Sequence, residues 1–219
     1  MISFNIKMIG QERKWTVVRT DFNNWKPLTI REVSKIFSGI SIYWGIAGGW
    51  ALDMHLGRTT REHSDIDIVI FRKDQQVLYQ LLKNEWTLYK AKDGKVSLWQ
   101  NQEHLDVIND VWISRGFHSP WAFQIMLMDC EQGNWIYRRE KTIKVSKEEL
   151  FSTDENQVPY LKPAIQLLYK GGSSRMREKD FSDFQSVLSS LSLKEKEWLK
   201  EALKRQFPFG HSWMKNLED

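Results

Sequence analysis

Apolar and polar positions along the chain change period several times, and each change marks an element. Thr29-Ile-Arg-Glu32 has the spacing of a capping box, and Ile30, Val33 and Phe37 follow it on one face, which predicts a helix. Ile42 to Ile46 reads as a buried strand running into Gly48-Gly49, and Trp50 to Leu56 as a short helix stopped by Gly57. The polar stretch Arg58 to Ser64 leads into Asp65-Ile-Asp-Ile-Val-Ile-Phe71, the clearest strand in the chain. Val77, Leu78, Leu81 and Leu82 mark a helix from about Asp74, and a hairpin turning at Asp93-Gly94 follows. His104 to Trp112 reads as a further strand, with shorter ones at Phe123–Met128, Asn134–Tyr137 and Thr142–Val145. From Pro159 the pattern turns helical. Pro163 stands where a first helical turn tolerates it, a second helix covers Asp180 to Leu191, and Ser192-Leu-Lys-Glu195 opens a third with capping-box spacing. The expected fold is α+β over residues 1–150, followed by a smaller helical domain over 151–219.

Composition narrows the function classes. Apolar residues are 41% and charged residues 27% of 219, ordinary globular values that exclude a disordered chain or a coiled coil. The single cysteine, Cys130, allows neither an intrachain disulfide nor a cysteine-based zinc site. No segment has the apolar run of a signal peptide or a membrane span, so a cytoplasmic protein without a membrane partner is expected. The net charge of +4 suits an anionic small-molecule partner and is too small to demand nucleic acid. Eleven tryptophans are many for this length and read mostly as core and rim aromatics; exposed ones would favour a homodimer over a monomer.

The chemistry concentrates between Gly48 and Asp67. Two glycines between a buried strand and a helix let the backbone approach a ligand closely, and a helix N-terminus offers N–H groups to a phosphate. Asp65 and Asp67 are two apart on a strand, so both carboxylates project from one face while Ile66, Ile68 and Ile70 anchor the other. Two carboxylates held this close repel unless a cation lies between them, and hard oxygen ligands favour Mg²⁺, which also bridges nucleotide phosphates. An Asp-x-Asp or a Gly-Gly alone is usually a turn; their succession as strand, Gly-Gly, helix and acidic strand is specific. No Ser-His-Asp elbow and no Walker-type loop is present, and no second histidine stands at ligand spacing from His63.

This run resembles the DNA polymerase beta-like nucleotidyltransferases. It is most similar to the aminoglycoside 2''-O-adenylyltransferases and lincosamide nucleotidyltransferases, on Gly48 through Asp53 and Gly57 through Asp67. Trp50 stands where the wider superfamily often has serine, and the gap between Gly-Gly and Asp-x-Asp is long, which argues against a polymerase. The resemblance implies a nucleotidyltransferase-type mixed sheet with flanking helices, and Mg²⁺ on Asp65, Asp67 and a third acid. Asp106 is the candidate for that acid, as metal ligand and as helper in removing the acceptor proton, with Asp110 as the alternative. It further implies that Gly48, Gly49, Arg61, His63, Lys170 and Lys179 meet the nucleotide, with Asp180 and Asp183 orienting the bases. ATP or another nucleoside triphosphate would be the co-substrate, and a small-molecule hydroxyl the acceptor, set between the two halves against aromatics such as Trp112 or Trp121. The alternative reading is a nucleotidyltransferase that modifies a protein or tRNA, of the toxin–antitoxin kind.

Overall fold

The computed structural model describes residues 2–9, 12–173 and 175–217, and side chains from residue 18 onward. In chain order the elements are β1 (Ile2–Ile9), β2 (Glu12–Arg19), α1 (Ile30–Phe37), β3 (Trp44–Ala47), α2 (Gly48–Leu56), β4 (Asp67–Phe71), α3 (Gln75–Leu82), β5 (Thr87–Lys92), β6 (Lys95–Leu98), β7 (Asp110–Ser114), β8 (Trp121–Glu131), β9 (Asn134–Ile136), β10 (Lys144–Ser146), β11 (Phe151–Thr153), β12 (Pro159–Leu161), α4 (Pro163–Gly171), α5 (Glu178–Leu188) and α6 (Leu193–Gln206). The fold is α+β, as expected. Its contacts gather into two compact units that interleave along the chain: Met1–Tyr43 with Ser64–Leu127, and Trp44–His63 with Met128–Asp219. No helix among the described residues is long and apolar enough to cross a membrane.

The first unit is built on strands in the order β1-β2-β6-β5-β7-β8-β4. Asp93-Gly94 turns β5 into β6, with both residues at positive φ, the conformation this dipeptide favours. Alternation places Val111 and Ile113 of β7 and Phe123 and Ile125 of β8 in the core, all fully buried, together with Ile66, Ile68 and Ile70. Each such side chain contributes about 1.5–3 kcal/mol relative to exposure, so the face these strands bury is strongly specified. Leu78 and Leu82 of α3 and Val33 and Phe37 of α1 are buried too. The capping box on α1 forms as predicted: the Thr29 hydroxyl accepts from the Glu32 N–H, and the Glu32 carboxylate accepts from the Thr29 N–H. The Arg19 guanidinium lies 3.6 Å from the ring centroid of Trp121 and pairs with Asp21 at 2.5 Å.

One predicted element is corrected. Residues 104–109 are not strand; β7 begins only at Asp110. The Arg72 guanidinium donates to the carbonyls of Leu105 (2.7 Å) and Ile108 (2.5 Å) and to the Asn109 side chain (2.6 Å). The Leu105 N–H donates to the Gln75 side chain at 2.6 Å. The Leu105 N–H and the Leu105 and Ile108 carbonyls thus pair with side chains just past β4 and on α3 instead of with a neighbouring strand.

In the second unit β3 pairs parallel with β12, which pairs antiparallel with β11, and the end of β8 forms a small antiparallel ladder with β9 and β10. Helices α2, α4, α5 and α6 supply a core that includes Leu167, Leu168, Phe184, Val187, Leu199 and Leu203. Phe184 stacks on Trp213 with ring centroids 4.2 Å apart. The predicted capping box at Ser192 and Glu195 is present, and Pro163 opens α4.

Candidate active site

On the first unit, Asp67 opens β4 and Asp65 precedes it by two residues, both half-buried, alternating with the fully buried isoleucines. Strand β8 lies beside β4, and the Gln124 N–H donates to the Ile66 carbonyl at 2.9 Å. The half-exposed positions Gln124 on β8, and Trp112 and Asp110 on β7, alternate with buried neighbours in the same way. Gln124 Nε2 donates to Asp110 Oδ1 at 3.0 Å, so Asp110 is held on the sheet close to the acidic strand. Asp106 sits in a bend outside any strand, its side chain 81% exposed, with His104 Nδ1 3.8 Å away. No group of three or more His, Cys, Asp or Glu side chains able to hold a metal occurs among the described residues. The donor set nevertheless fits Mg²⁺, which commonly takes one or two carboxylates from a protein and the rest of its oxygens from phosphates and water.

On the second unit the glycine turn is explained by its neighbours. Gly48 has φ +68°, where a side chain is strained, and its N–H donates to Gln166 Oε1 of α4 at 2.8 Å. A Cβ on Gly49 would come within 2.3 Å of the His63 ring and 2.5 Å of the Arg61 guanidinium. The turn therefore needs glycine because the chain folds back on it: His63 stacks against Trp50, centroids 4.5 Å apart, and its Nε2 donates to Asp53 Oδ2 at 2.6 Å. Asp53, buried on α2, also accepts from the Thr60 N–H (3.1 Å) and hydroxyl (2.5 Å). Three donors to one carboxylate clasp the polar stretch 58–63 onto the helix as an ordered ledge.

Arg61 extends from that ledge into a chain of alternating charges. It forks onto Asp183 of α5, with Nε–Oδ1 at 2.8 Å and Nη2–Oδ2 at 3.0 Å. Lys170 of α4, its side chain 6% exposed, lies 2.7 Å from Asp183 and 3.5 Å from Asp180, and Arg177 caps Asp180 with a pair at 2.8 Å. Burial pushes the Asp183 carboxyl up, but the hydrogen bond from Arg61 and the charge of Lys170 outweigh it and hold the group below its ordinary value. Burial likewise opposes, and hydrogen bonds from Arg177 with the Lys170 charge reverse, the shift of Asp180. Lys179 is half-buried on α5, and its side chain makes no hydrogen bond or ion pair to another described residue.

The structure thus brings Gly49, Arg61, His63 and Lys170 into one web of partners, with Asp183 tying Arg61 to Lys170. Asp53, Thr60, Gln166 and Gln124 also carry the geometry; Asp53 and Thr60 lie in the motif run that carries the family resemblance, which gives them no role, and nothing in the sequence singles out Gln166 or Gln124. Only the i,i+7 and i,i+10 relation of Asp53 to Thr60 and His63 is local enough to have signalled them. Of the two candidate wall aromatics, Trp121 is fully buried and its indole N–H donates to the Asp21 carbonyl at 2.9 Å, a core role, while Trp112 is half-exposed.

A family model described as aminoglycoside-2''-adenylyltransferase matches residues 29–186. No curated protein matches by sequence. Among solved structures the chain is similar to the antibiotic-resistance factor ANT(2'')-Ia in solution, with a TM-score of 0.54 and 15% identity over 82% of this chain and 91% of that one. It is also similar to the lincosamide antibiotic adenylyltransferase LnuA with lincomycin bound (TM-score 0.52, 18% identity, 77% and 100% of the two chains). A third likeness is to ANT(2'')-Ia in complex with adenylyl-2''-tobramycin (TM-score 0.51, 14% identity, 83% and 98%). At these identities the solved structures share a fold with this chain.

Proposed function

Because the chain belongs to the aminoglycoside-2''-adenylyltransferase family and is a nucleotidyltransferase, we propose that it transfers AMP, or another nucleoside monophosphate, from its triphosphate to a hydroxyl of a small-molecule antibiotic. The observation that carries this reading is the pair Asp65 and Asp67, projecting opposite three fully buried isoleucines at the start of β4. Asp65 and Asp67 are the residues that would hold Mg²⁺, which when bound supplies charge neutralisation along the triphosphate. For the third acid we propose Asp110 in place of Asp106, since Asp110 is fixed on β7 through Gln124 and Asp106 faces solvent from a bend.

In the reaction the acceptor oxygen forms a bond to the α-phosphorus in line with the departing oxygen, and the bond to pyrophosphate breaks. The hydroxyl proton passes to the Asp110 carboxylate. Gly48 and Gly49 shape the turn, and Lys179 is the cation offered to the phosphates. Arg61, His63 and Lys170 act at one remove: their hydrogen bonds and close pairs to Asp183 and Asp53 hold the turn, the ledge and the helices in register, which keeps the phosphate-facing backbone rigid.

The test is pyrophosphate release from ATP, GTP, CTP and UTP with Mg²⁺, in the presence of tobramycin or lincomycin, with mass spectrometry of the acceptor. Release that depends on an acceptor, and a matching nucleotidyl adduct, is expected. Asp67→Asn should abolish both while leaving the circular dichroism spectrum unchanged; near-full activity in that variant would sink the metal assignment.

A further inference from the structure

Next to Asp110, on the first unit, a cavity of about 400 Å³ opens between the sheet and the β5–β6 turn. Phe22, Val96 and Trp112 provide its apolar walls, Asp110 and Gln124 its polar floor, and Lys92 to Lys95 its rim. Phe22 and Trp112 meet edge to face, centroids 6.2 Å apart and planes at 86°, so they present two flat surfaces nearly at a right angle. Trp112 is itself braced by Trp25 at 5.0 Å and Trp121 at 5.1 Å, which keeps the wall rigid. A volume of this size falls in the range of small-ligand sites, and the mix of aromatic wall and few polar groups is what such sites use.

The charges decide what kind of ligand fits. Lys92 and Lys95 at the rim are balanced by Asp93 beside them and Asp110 on the floor, and all of the rim residues are exposed. A compound with several ammonium groups needs clustered carboxylates, one for most of its charges, whereas this lining carries only Asp93 and Asp110, each offset by a lysine, so most of its charges would be desolvated unpaired, a barrier to binding. A neutral or singly charged compound meets no such barrier and gains from laying an apolar face on Trp112.

We infer that this cavity is the acceptor subsite, and that it takes a hydroxyl compound with an apolar face and no more than one positive charge in preference to a polycationic aminosugar. The inference rests on the proposed function for its link to catalysis, since Asp110 is the acid assigned to the acceptor proton. Binding in the cavity stands independently of that link.

The experiment is therefore titration calorimetry of the full chain without nucleotide or metal, using lincomycin and tobramycin as probes. Lincomycin should bind more tightly than tobramycin, and Trp112→Ala should weaken lincomycin about tenfold. Lys92→Glu with Lys95→Glu should raise tobramycin affinity by about tenfold, the sign expected if rim charge is what excludes it. Tobramycin binding more tightly to the wild type, or lincomycin binding unaltered by Trp112→Ala in a folded variant, would overturn the inference. Pyrophosphate release is scored separately: a chain that binds lincomycin as expected yet releases none refutes the proposed transfer and leaves the cavity standing as a binding site with the stated charge preference.

Discussion

Asp183→Asn probes the buried charge chain directly. The substitution keeps the side chain's shape and removes the negative charge that Arg61 and Lys170 share. The Arg61 side chain is 25% exposed and can turn to water. Lys170 cannot: at 6% exposure its remaining carboxylate is Asp180, 3.5 Å away instead of 2.7 Å. Removing one partner of a buried pair costs about 3–5 kcal/mol, and the surviving contact to Asp180 sets the expectation at about 3 kcal/mol. For a chain of this length each kcal/mol moves Tm by roughly 2–4 °C, so a fall of about 6–12 °C is expected in thermal unfolding followed by far-ultraviolet circular dichroism. Adding Lys170→Met should return about half of it, because the uncompensated ammonium is then gone. A Tm for Asp183→Asn within about 2 °C of the wild type would refute the reasoning, since it would mean the chain of charges contributes less than one buried hydrogen bond.

Three further outcomes follow from the same geometry. Gly49→Ala should destabilise the fold by about 1–3 kcal/mol in urea unfolding, because the new methyl overlaps the His63 ring and the Arg61 guanidinium; an unchanged midpoint would show that the ledge moves freely. Gln166→Leu leaves the Gly48 N–H buried without its acceptor and should cost about 1–3 kcal/mol in the same assay, whereas a neutral result would mean water replaces it. Asp180 and Asp183 have folded-state values below the ordinary carboxylate value, so the stability they contribute is complete above it and is lost as pH falls below about 4. Melting curves between neutral and acid pH should show that loss in the wild type and a flatter acid limb in Asp183→Asn.

Much of the frame was legible because its signals are local. Both capping boxes, the Asp93-Gly94 turn, the Gly57 stop and the alternation through β4 depend on residues within a few positions of each other. Residues 104–109 misled because an apolar–polar alternation there imitates a strand, while the group that overrides it, Arg72, lies more than thirty positions away. The N-terminal hairpin of β1 and β2 went unread, although Ile2, Phe4, Ile6 and Met8 alternate as a strand should. The basic positions were picked out by type, but their partners were not. The Arg61–Asp183 pair spans 122 positions and Gly48–Gln166 spans 118, separations at which no spacing rule operates. Residue identity in this motif therefore marks where charge sits; only the tertiary fold says which charge meets which.

The crowding around Gly49 also constrains how such a chain can change over generations. A side chain at position 49 collides with the ring at position 63, and that ring is in turn held by Asp53, which Thr60 shares. Substitutions at these positions are therefore epistatic, and their order matters. A lineage that first shortens residue 63 vacates the room a larger residue 49 needs, whereas one that enlarges residue 49 first passes through a destabilised intermediate. The turn behaves as one heritable unit, open to replacement along few paths.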